Sequence, residues 1–205
     1  MTTTEPFDAA FLFAVRLHRG QKRKGTAIPY LSHLLSVTAL VMEDGGTEEE
    51  AIAALLHDAV EDQGDAYPGG RPELRAAIAG RFGARVLEIV DALTDDEGHE
   101  KGRAATPEEE RVAWRRRKQA YLDHLAGTRD PGIRRVACAD KLHNARSILA
   151  DYAVVKDAVW QRFRTQCAED QVWYETELAR ILDGASRLEL LFRDAARAIA
   201  ALLRP

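Results

Sequence analysis

Residues 54–64 read ALLHDAVEDQG, an apolar run of Ala54, Leu55 and Leu56 that passes at once into His57, Asp58, Glu61 and Asp62. Charged groups are unfavourable to bury unless a partner or a metal compensates them. The segment is therefore either a solvated helix end or the lining of a site. On a helix, residues four apart share a face, which sets His57 beside Glu61 and Asp58 beside Asp62. A second stretch, ADKLHNARS, places Asp140, His143, Asn144 and Ser147 at i, i+3, i+4 and i+7, a polar stripe opposite Ala137, Leu142 and Ile148. His33, in PYLSHLLSV, opens an otherwise apolar helix, and alone it reads as a core or cap histidine. Together His33, His57, Asp58 and Asp140 make two imidazoles and two carboxylates. That is the donor set of a borderline-to-hard divalent cation, and it needs no thiolate.

The elements that must carry these residues are helical. Apolar residues recur at spacings of three and four almost throughout, and no segment alternates with period two. The spacing predicts helices over 7–21, 33–43, 47–61, 71–81, 84–93, 107–126, 131–151, 169–183 and 186–203. Thr47 with Glu50, and Thr106-Pro107 with Glu109, are capping-box starts, the second with proline at the first helical position. Asp130-Pro131 opens another helix. Two loops rich in glycine and charge, 64–71 and 95–105, have the composition of segments that often lie over sites. A chain of 205 residues, 46% of them hydrophobic, is long enough for one substantial core. The expectation is an all-α, single-domain helical bundle over 1–205, with a core over about 7–165 and C-terminal helices over 166–205.

The formal net charge of −4 provides no general basic field, which argues against duplex nucleic acid as a partner. Apolar stretches are short and interrupted by charge, and MTTTEPFDAA lacks the basic start and apolar run of a secretory signal. A cytoplasmic protein without membrane segments is expected. Cys138 and Cys167 show no CxxC spacing and read as small apolar fillers rather than as a disulfide or a zinc site. The last helices, with Leu188, Leu190, Leu191, Phe192 and Ile199, either close the core or form a face for a second copy, and the sequence leaves both open.

HDAVED, with a histidine upstream and an aspartate some eighty residues on, resembles the HD-domain phosphohydrolase superfamily, whose metal ligands follow the order H…HD…D. HRGQKRKGTAIPYLSH is similar to the HxGQxRKSGxPYxxHP opening of the (p)ppGpp hydrolase domains of RelA/SpoT proteins and their small single-domain relatives. ADKLHNAR is similar to the ADRLHNMR of the same group. The resemblance runs from about His18 to Trp160. It implies metal ligation by His33, His57, Asp58 and Asp140, usually of manganese. It also implies that Glu61 and Asp62 handle the attacking water, with Asn144 near that water and the scissile phosphate. Arg23 and Lys24 match a basic pair that packs against guanine. Ser147 stands where relatives carry a threonine contacting the nucleotide, and Arg164 resembles a phosphate-contacting arginine of small metazoan homologues.

The activity so implied is removal of the 3′-pyrophosphate of (p)ppGpp, a small nucleotide, to give GDP or GTP. A substrate of dense negative charge calls for further cations at the mouth of the site. Lys141 and Arg146 qualify, as do Arg115, Arg116, Arg117 and Lys118 of WRRRK, against which the plain reading is a solvated helix face. Trp173-Tyr174 reads as core rather than as a stacking platform. The sequence departs from the family at Leu34, where proline is usual, and at the turn Gly25-Thr26-Ala27-Ile28. These departures leave the substrate open to another phosphoester, such as the NADPH 2′-phosphate or a 5′-nucleotide. A catalytically silent nucleotide-binding module is the alternative from another class; it predicts loss of one or more of His33, His57, Asp58, Glu61, Asp62 or Asp140, and none is lost.

Overall fold

The stretch AIAALL is apolar on every side, and a helix of that composition has to be enclosed by others. In the computed structural model, which describes residues 2–95 and 106–203, this stretch lies in α3 (Glu48–Leu56), where every residue from Glu50 to Leu56 is buried. Around α3 pack α1 (Glu5–Leu17), α2 (Leu31–Glu43) and α6 (Ala84–Leu93). α5 (Gly70–Phe82) packs on α6, and the short α4 (Ala59–Gln63) touches α1, α5 and α6. The remaining elements are α7 (Pro107–Gly127), α8 (Pro131–Val155), a 3-10 turn over Lys156–Arg162, α9 (Ala168–Ile181) and α10 (Arg187–Ala201). The class is all-α. Among the described residues the only β-type pairing is one isolated antiparallel bridge, Lys22 to Pro29.

Contacts divide the described residues into two compact units, one within Met1–Asp96 and Asp130–Asp140, the other within Glu97–Arg129 and Lys141–Pro205. In the first, α3 begins at the capping box read from the sequence, with Thr47 Oγ1 accepting from the Glu50 backbone and Glu50 returning the bond. The same Glu50 carboxylate accepts from Arg135 of α8 at 2.5 Å, and Arg135 also donates to Asp44 at 3.1 Å. The start of α8 is fixed by Asp130 Oδ1, which accepts from the backbone N–H groups of Gly132 and Ile133, both at 2.9 Å, and from Arg85 at 2.6 Å. At Gly132 a Cβ would come within 2.6 Å of Glu50 Oε1, so a larger residue there has to displace that carboxylate.

In the second unit α7 opens at the predicted Thr106–Glu109 box, and α10 opens at a further box, Ser186 with Glu189. α7 meets α9 through Trp114 against Trp173 and Tyr174, ring centroids 6.2 and 5.8 Å apart, with Tyr174 buried in the core and Trp173 half-buried beside it. WRRRK serves the same packing. Arg115 donates to the fully buried Asp170 at 2.6 Å and lies over Trp173, while Arg111 adds bonds of 2.8 and 3.2 Å to that carboxylate. Arg116 is exposed, and Lys118 lies over Tyr174. On α10, Leu188, Phe192 and Ile199 are buried and Leu190 is exposed.

Helix positions follow the sequence reading closely, with two instructive departures. The helix expected over 7–21 stops at Leu17, where Gly20 takes a left-handed conformation at φ 81° that a helix cannot continue. The helix expected over 47–61 is two helices, α3 and α4, broken at His57–Asp58. Of the loop 95–105, residues 96–105 lie outside the described residues. Cys138 is the buried filler expected, but Cys167 is only half-buried and donates to Glu169 at 3.0 Å as α9 begins.

Burial opposes the charge of Asp170, and the Arg111 and Arg115 guanidinium groups outweigh it, holding the carboxyl below its ordinary 3.8. A group whose pKa falls on folding contributes stability above its unfolded value and loses it as pH drops through the folded one. Asp170→Asn should therefore lose about 2 kcal/mol at pH 7, the scale of charged hydrogen bonds. Its stability should also decline less than that of the natural chain between pH 5 and strong acid, as read by urea unfolding across that range.

Candidate metal centre

Four side chains from three separate stretches of sequence are gathered by three helices and one helix break. His33 stands in the first turn of α2, His57 ends α3, Asp58 precedes α4, and Asp140 lies in α8. The two histidines are 1% and 2% exposed. Their Nε2 atoms are 3.3 Å apart. Asp58 Oδ2 lies 2.9 Å from His57 Nε2 and 3.5 Å from His33 Nε2. Asp140 Oδ1 lies 3.3 Å from His33 Nε2 and 3.7 Å from His57 Nε2.

The tautomer of His57 is fixed by its surroundings. Its Nδ1 donates to the Ala54 carbonyl at 2.9 Å, and a carbonyl only accepts, so the neutral ring presents the Nε2 lone pair to the site. That lone pair faces carboxylate oxygens, which are acceptors too. Acceptors at these distances repel unless a cation lies among them, either a proton or a metal. On the proton side, burial disfavours charge on His57 and Asp58, but their attraction prevails, holding the imidazole well above and the carboxyl well below its ordinary value. The donor set equally fits a metal. Ligands about 2.0–2.2 Å from an ion stand roughly 3.0–3.4 Å apart at octahedral or tetrahedral angles, close to the spacings found. The donor atoms of His33, His57 and Asp58 all lie within 4.8 Å of one another.

The helix break makes this possible. Adjacent residues of a regular helix point about 100° apart, so His57 and Asp58 could not both face one point on the continuous helix expected from sequence. At Asp58 the backbone leaves helical geometry, φ −96° and ψ 1°, and both side chains turn inward. The i, i+4 relation read for Asp58 and Asp62 survives the break, with Asp62 N–H bonding the Asp58 carbonyl at 2.9 Å. Glu61 and Asp62 occupy the first turn of a new helix, where the macrodipole favours acids, rather than the end of α3.

Residues that sequence reasoning passed over complete the surroundings. Tyr30 donates its hydroxyl to Asp58 Oδ2 at 2.5 Å; burial, and next the Asp58 charge, push its phenol far above the ordinary range. Its ring stacks on His18, centroids 5.3 Å apart, and lies edge-on to His33 at 5.5 Å. His18 is buried, its Nδ1 2.7 Å from Gln21 Oε1, and Gln21 Nε2 donates to Asp62 Oδ2 at 2.7 Å. Asp62 is exposed at its outer edge. Burial of its inner side, then the neighbouring Asp58 charge, push its carboxyl up to about 6. Glu61 accepts from the Asp95 backbone N–H at 3.2 Å. The signal for Tyr30 was its place three residues before His33, one turn away; for Gln21 no periodicity pointed to it.

Arg23 and Lys24 sit on the loop closed by the Lys22–Pro29 bridge, where Arg23 N–H bonds Ile28 O at 2.9 Å and Gly25 adopts φ 72°. The Arg23 guanidinium lies 5.8 Å from the centre of the Tyr30 ring. Lys24 is exposed. The other expected contacts belong to the second unit. Asn144 follows Asp140 by one turn of α8, Lys141 lies 5.0 Å over the Tyr121 ring, and Arg146 is exposed. Ser147 Oγ donates back to the His143 carbonyl at 2.9 Å, and Arg164 pairs with Glu110 at 3.0 Å.

Comparison with known proteins places this geometry in context. A GTP pyrophosphokinase of Streptomyces coelicolor is 35% identical over 147 residues, 72% of this chain but 15% of that protein. The guanosine-3′,5′-bis(diphosphate) 3′-pyrophosphohydrolase MESH1 of Xenopus tropicalis is 32% identical over 139 residues, 66% of this chain and 65% of that one. Among solved structures, a metazoan ortholog of SpoT that hydrolyzes ppGpp shares the fold at a TM-score of 0.70, with 23% identity and 97% of both chains covered. The HD domain family model matches residues 10–167, which contain His33, the His57-Asp58 pair and Asp140. This chain belongs to the HD domain family.

Proposed function

We propose that the protein is a metal-dependent phosphohydrolase that removes the 3′-diphosphate of (p)ppGpp, leaving GDP or GTP and pyrophosphate. The convergence of His33, His57, Asp58 and Asp140, with Asp62 one turn of α4 away from Asp58, carries this reading. The Xenopus relative, a guanosine-3′,5′-bis(diphosphate) 3′-pyrophosphohydrolase, supplies the substrate class. The resident ion is proposed to be manganese and the location cytoplasmic.

His33, His57, Asp58 and Asp140 would hold a divalent ion, which when bound would supply Lewis-acid polarisation of a phosphoryl oxygen and lower the pKa of water toward neutrality. The chain's own groups do the rest. Asp62 accepts the proton of the attacking water, which its position beside Asp58 and its raised pKa favour. Glu61, anchored by the Asp95 amide, shares that proton relay. Asn144 orients the water and the scissile phosphate, and Arg23 with Lys24 receives the guanine. Lys141, Arg146, Ser147 and Arg164 meet the phosphates.

A second reading, hydrolysis of another nucleotide such as the NADPH 2′-phosphate, is favoured by the turn Gly25-Thr26-Ala27-Ile28, which departs from the family's pattern and exposes Ile28.

Two measurements decide between these. Manganese at about one hundred times its Kd should stabilise the chain by about 2.7 kcal/mol, seen as a rise in Tm, and Asp58→Ala should abolish both that rise and stoichiometric binding by calorimetry. Manganese-loaded protein should release pyrophosphate from ppGpp with a higher kcat/KM than it shows on NADPH or 5′-nucleotides, and Asp62→Asn should lower kcat by about 10²–10⁴. No release from ppGpp at full metal occupancy would remove the reading.

A further inference from the structure

The turn that ends α1 reaches the acidic pair through a single glutamine. Gln21 Oε1 receives two donors, His18 Nδ1 at 2.7 Å and Gln63 Nε2 at 2.6 Å, and its Nε2 donates to Asp62 Oδ2 at 2.7 Å. Two donors on one oxygen fix which way the amide faces. A flipped amide would set its NH₂ against the Gln63 NH₂ and remove the donor from Asp62. His18 is itself immobilised, buried and stacked on Tyr30. Its Nδ1 is the protonated nitrogen, since the Gln21 amide oxygen accepts only, and its Nε2 has no hydrogen-bond partner among the described residues.

Tyr30 links the two ends of this arrangement, stacking on His18 while donating to Asp58. Asp58 and Asp62 sit one turn apart on α4 and are each gripped on Oδ2 from the segment 18–30: Asp58 by a phenol, Asp62 by a carboxamide. Gln63, the residue after Asp62, is tied to the same amide, so backbone and side chain of α4 are held at once.

We propose that Gln21 is a positioning residue for catalysis: it holds the Asp62 carboxylate in one rotamer, with Oδ2 engaged and the other oxygen turned to the attacking water. The inference rests on the assignment of Asp62 as proton acceptor. A carboxylate that must be within about 3 Å of a water proton in the transition state loses rate when it samples other rotamers, yet it neither binds the ion nor the nucleotide. Loss of Gln21 therefore lowers kcat and leaves KM and metal affinity in place.

Gln21→Met keeps the length of the side chain and removes both amide groups. With manganese-loaded protein, kcat should fall about 10-fold, with KM and the manganese Kd within 2-fold of the natural chain. In an Asp62→Asn background the same change should cost less than 2-fold, because the residue acts through that carboxylate. A multiplicative loss in both backgrounds, or a raised KM with kcat intact, would overturn the proposal. Crystal structures of the natural chain and Gln21→Met provide a readout that needs no turnover. One Asp62 rotamer should give way to several, and an unchanged single rotamer would refute the clamp. Should the natural chain release no pyrophosphate, the hydrolase reading falls while the rotamer comparison still judges Gln21.

Discussion

The arrangement at the centre of this chain depends on a positive charge held among acceptors. Two imidazole nitrogens and two carboxylate oxygens are packed at 2.9–3.7 Å, and the histidines among them are almost fully enclosed. Without a proton or a metal between them these groups would repel, and with the proton on His57 its attraction to Asp58 prevails. The cluster holds its shape because two of its members are tethered from behind, His57 by the Ala54 carbonyl and Asp58 by Tyr30, and the helices are held by the packing of α3. The stability of the scaffold is then spent against the local strain of like groups facing one another, which a cation relieves. This is why a helix buried from Glu50 to Leu56 ends in the site. Only an element enclosed on all sides can keep His57 from turning away.

The tethers also explain the break in the α3–α4 segment. A continuous helix would satisfy more backbone hydrogen bonds, yet it would point His57 and Asp58 in directions that diverge. Leaving helical geometry at Asp58 sacrifices regularity over one residue and recovers it at once, with Asp62 N–H bonding the Asp58 carbonyl at 2.9 Å. One local departure thus supplies two donors to the same point and restarts a helix whose first turn suits Glu61 and Asp62.

Much of this was legible in the sequence, and the rest was hidden for physical reasons. Capping boxes at Thr47 and Thr106 and the Asp130 cap are local chemistry, so helix starts could be read directly. The polar residues in apolar surroundings, His33, His57, Asp58 and Asp140, stood out because burial of such groups demands a reason. The break at Asp58 was not legible, because its residues have ordinary helix propensities and tertiary tethering overrides them. Nor were the partners of the acids: Gln21 and Asp62 are 41 residues apart, and no local spacing connects them. WRRRK shows the opposite limit. Its charge invited a ligand, but Asp170, 55 residues beyond Arg115, claims that guanidinium for the core.

Asp58 and Asp62 show how one residue type is divided between two tasks. They are one turn apart on the same helix, and each accepts on Oδ2 from a neutral donor. Asp58 touches the imidazoles, and that attraction keeps it ionised well below the ordinary range. Asp62 accepts from the Gln21 amide and the Tyr30 hydroxyl, yet burial of its inner side and the charge of Asp58 push it up to about 6. Environments that separate the pKa values of neighbouring carboxyls suit them to different roles: on the proposed function the low one would hold a cation and the high one would exchange protons near neutrality. A cation bound by the four donors would offset part of the Asp58 charge and draw Asp62 back toward its ordinary value. The ionised, proton-accepting form of Asp62 would then be favoured with the ion bound, and the uncharged form without it.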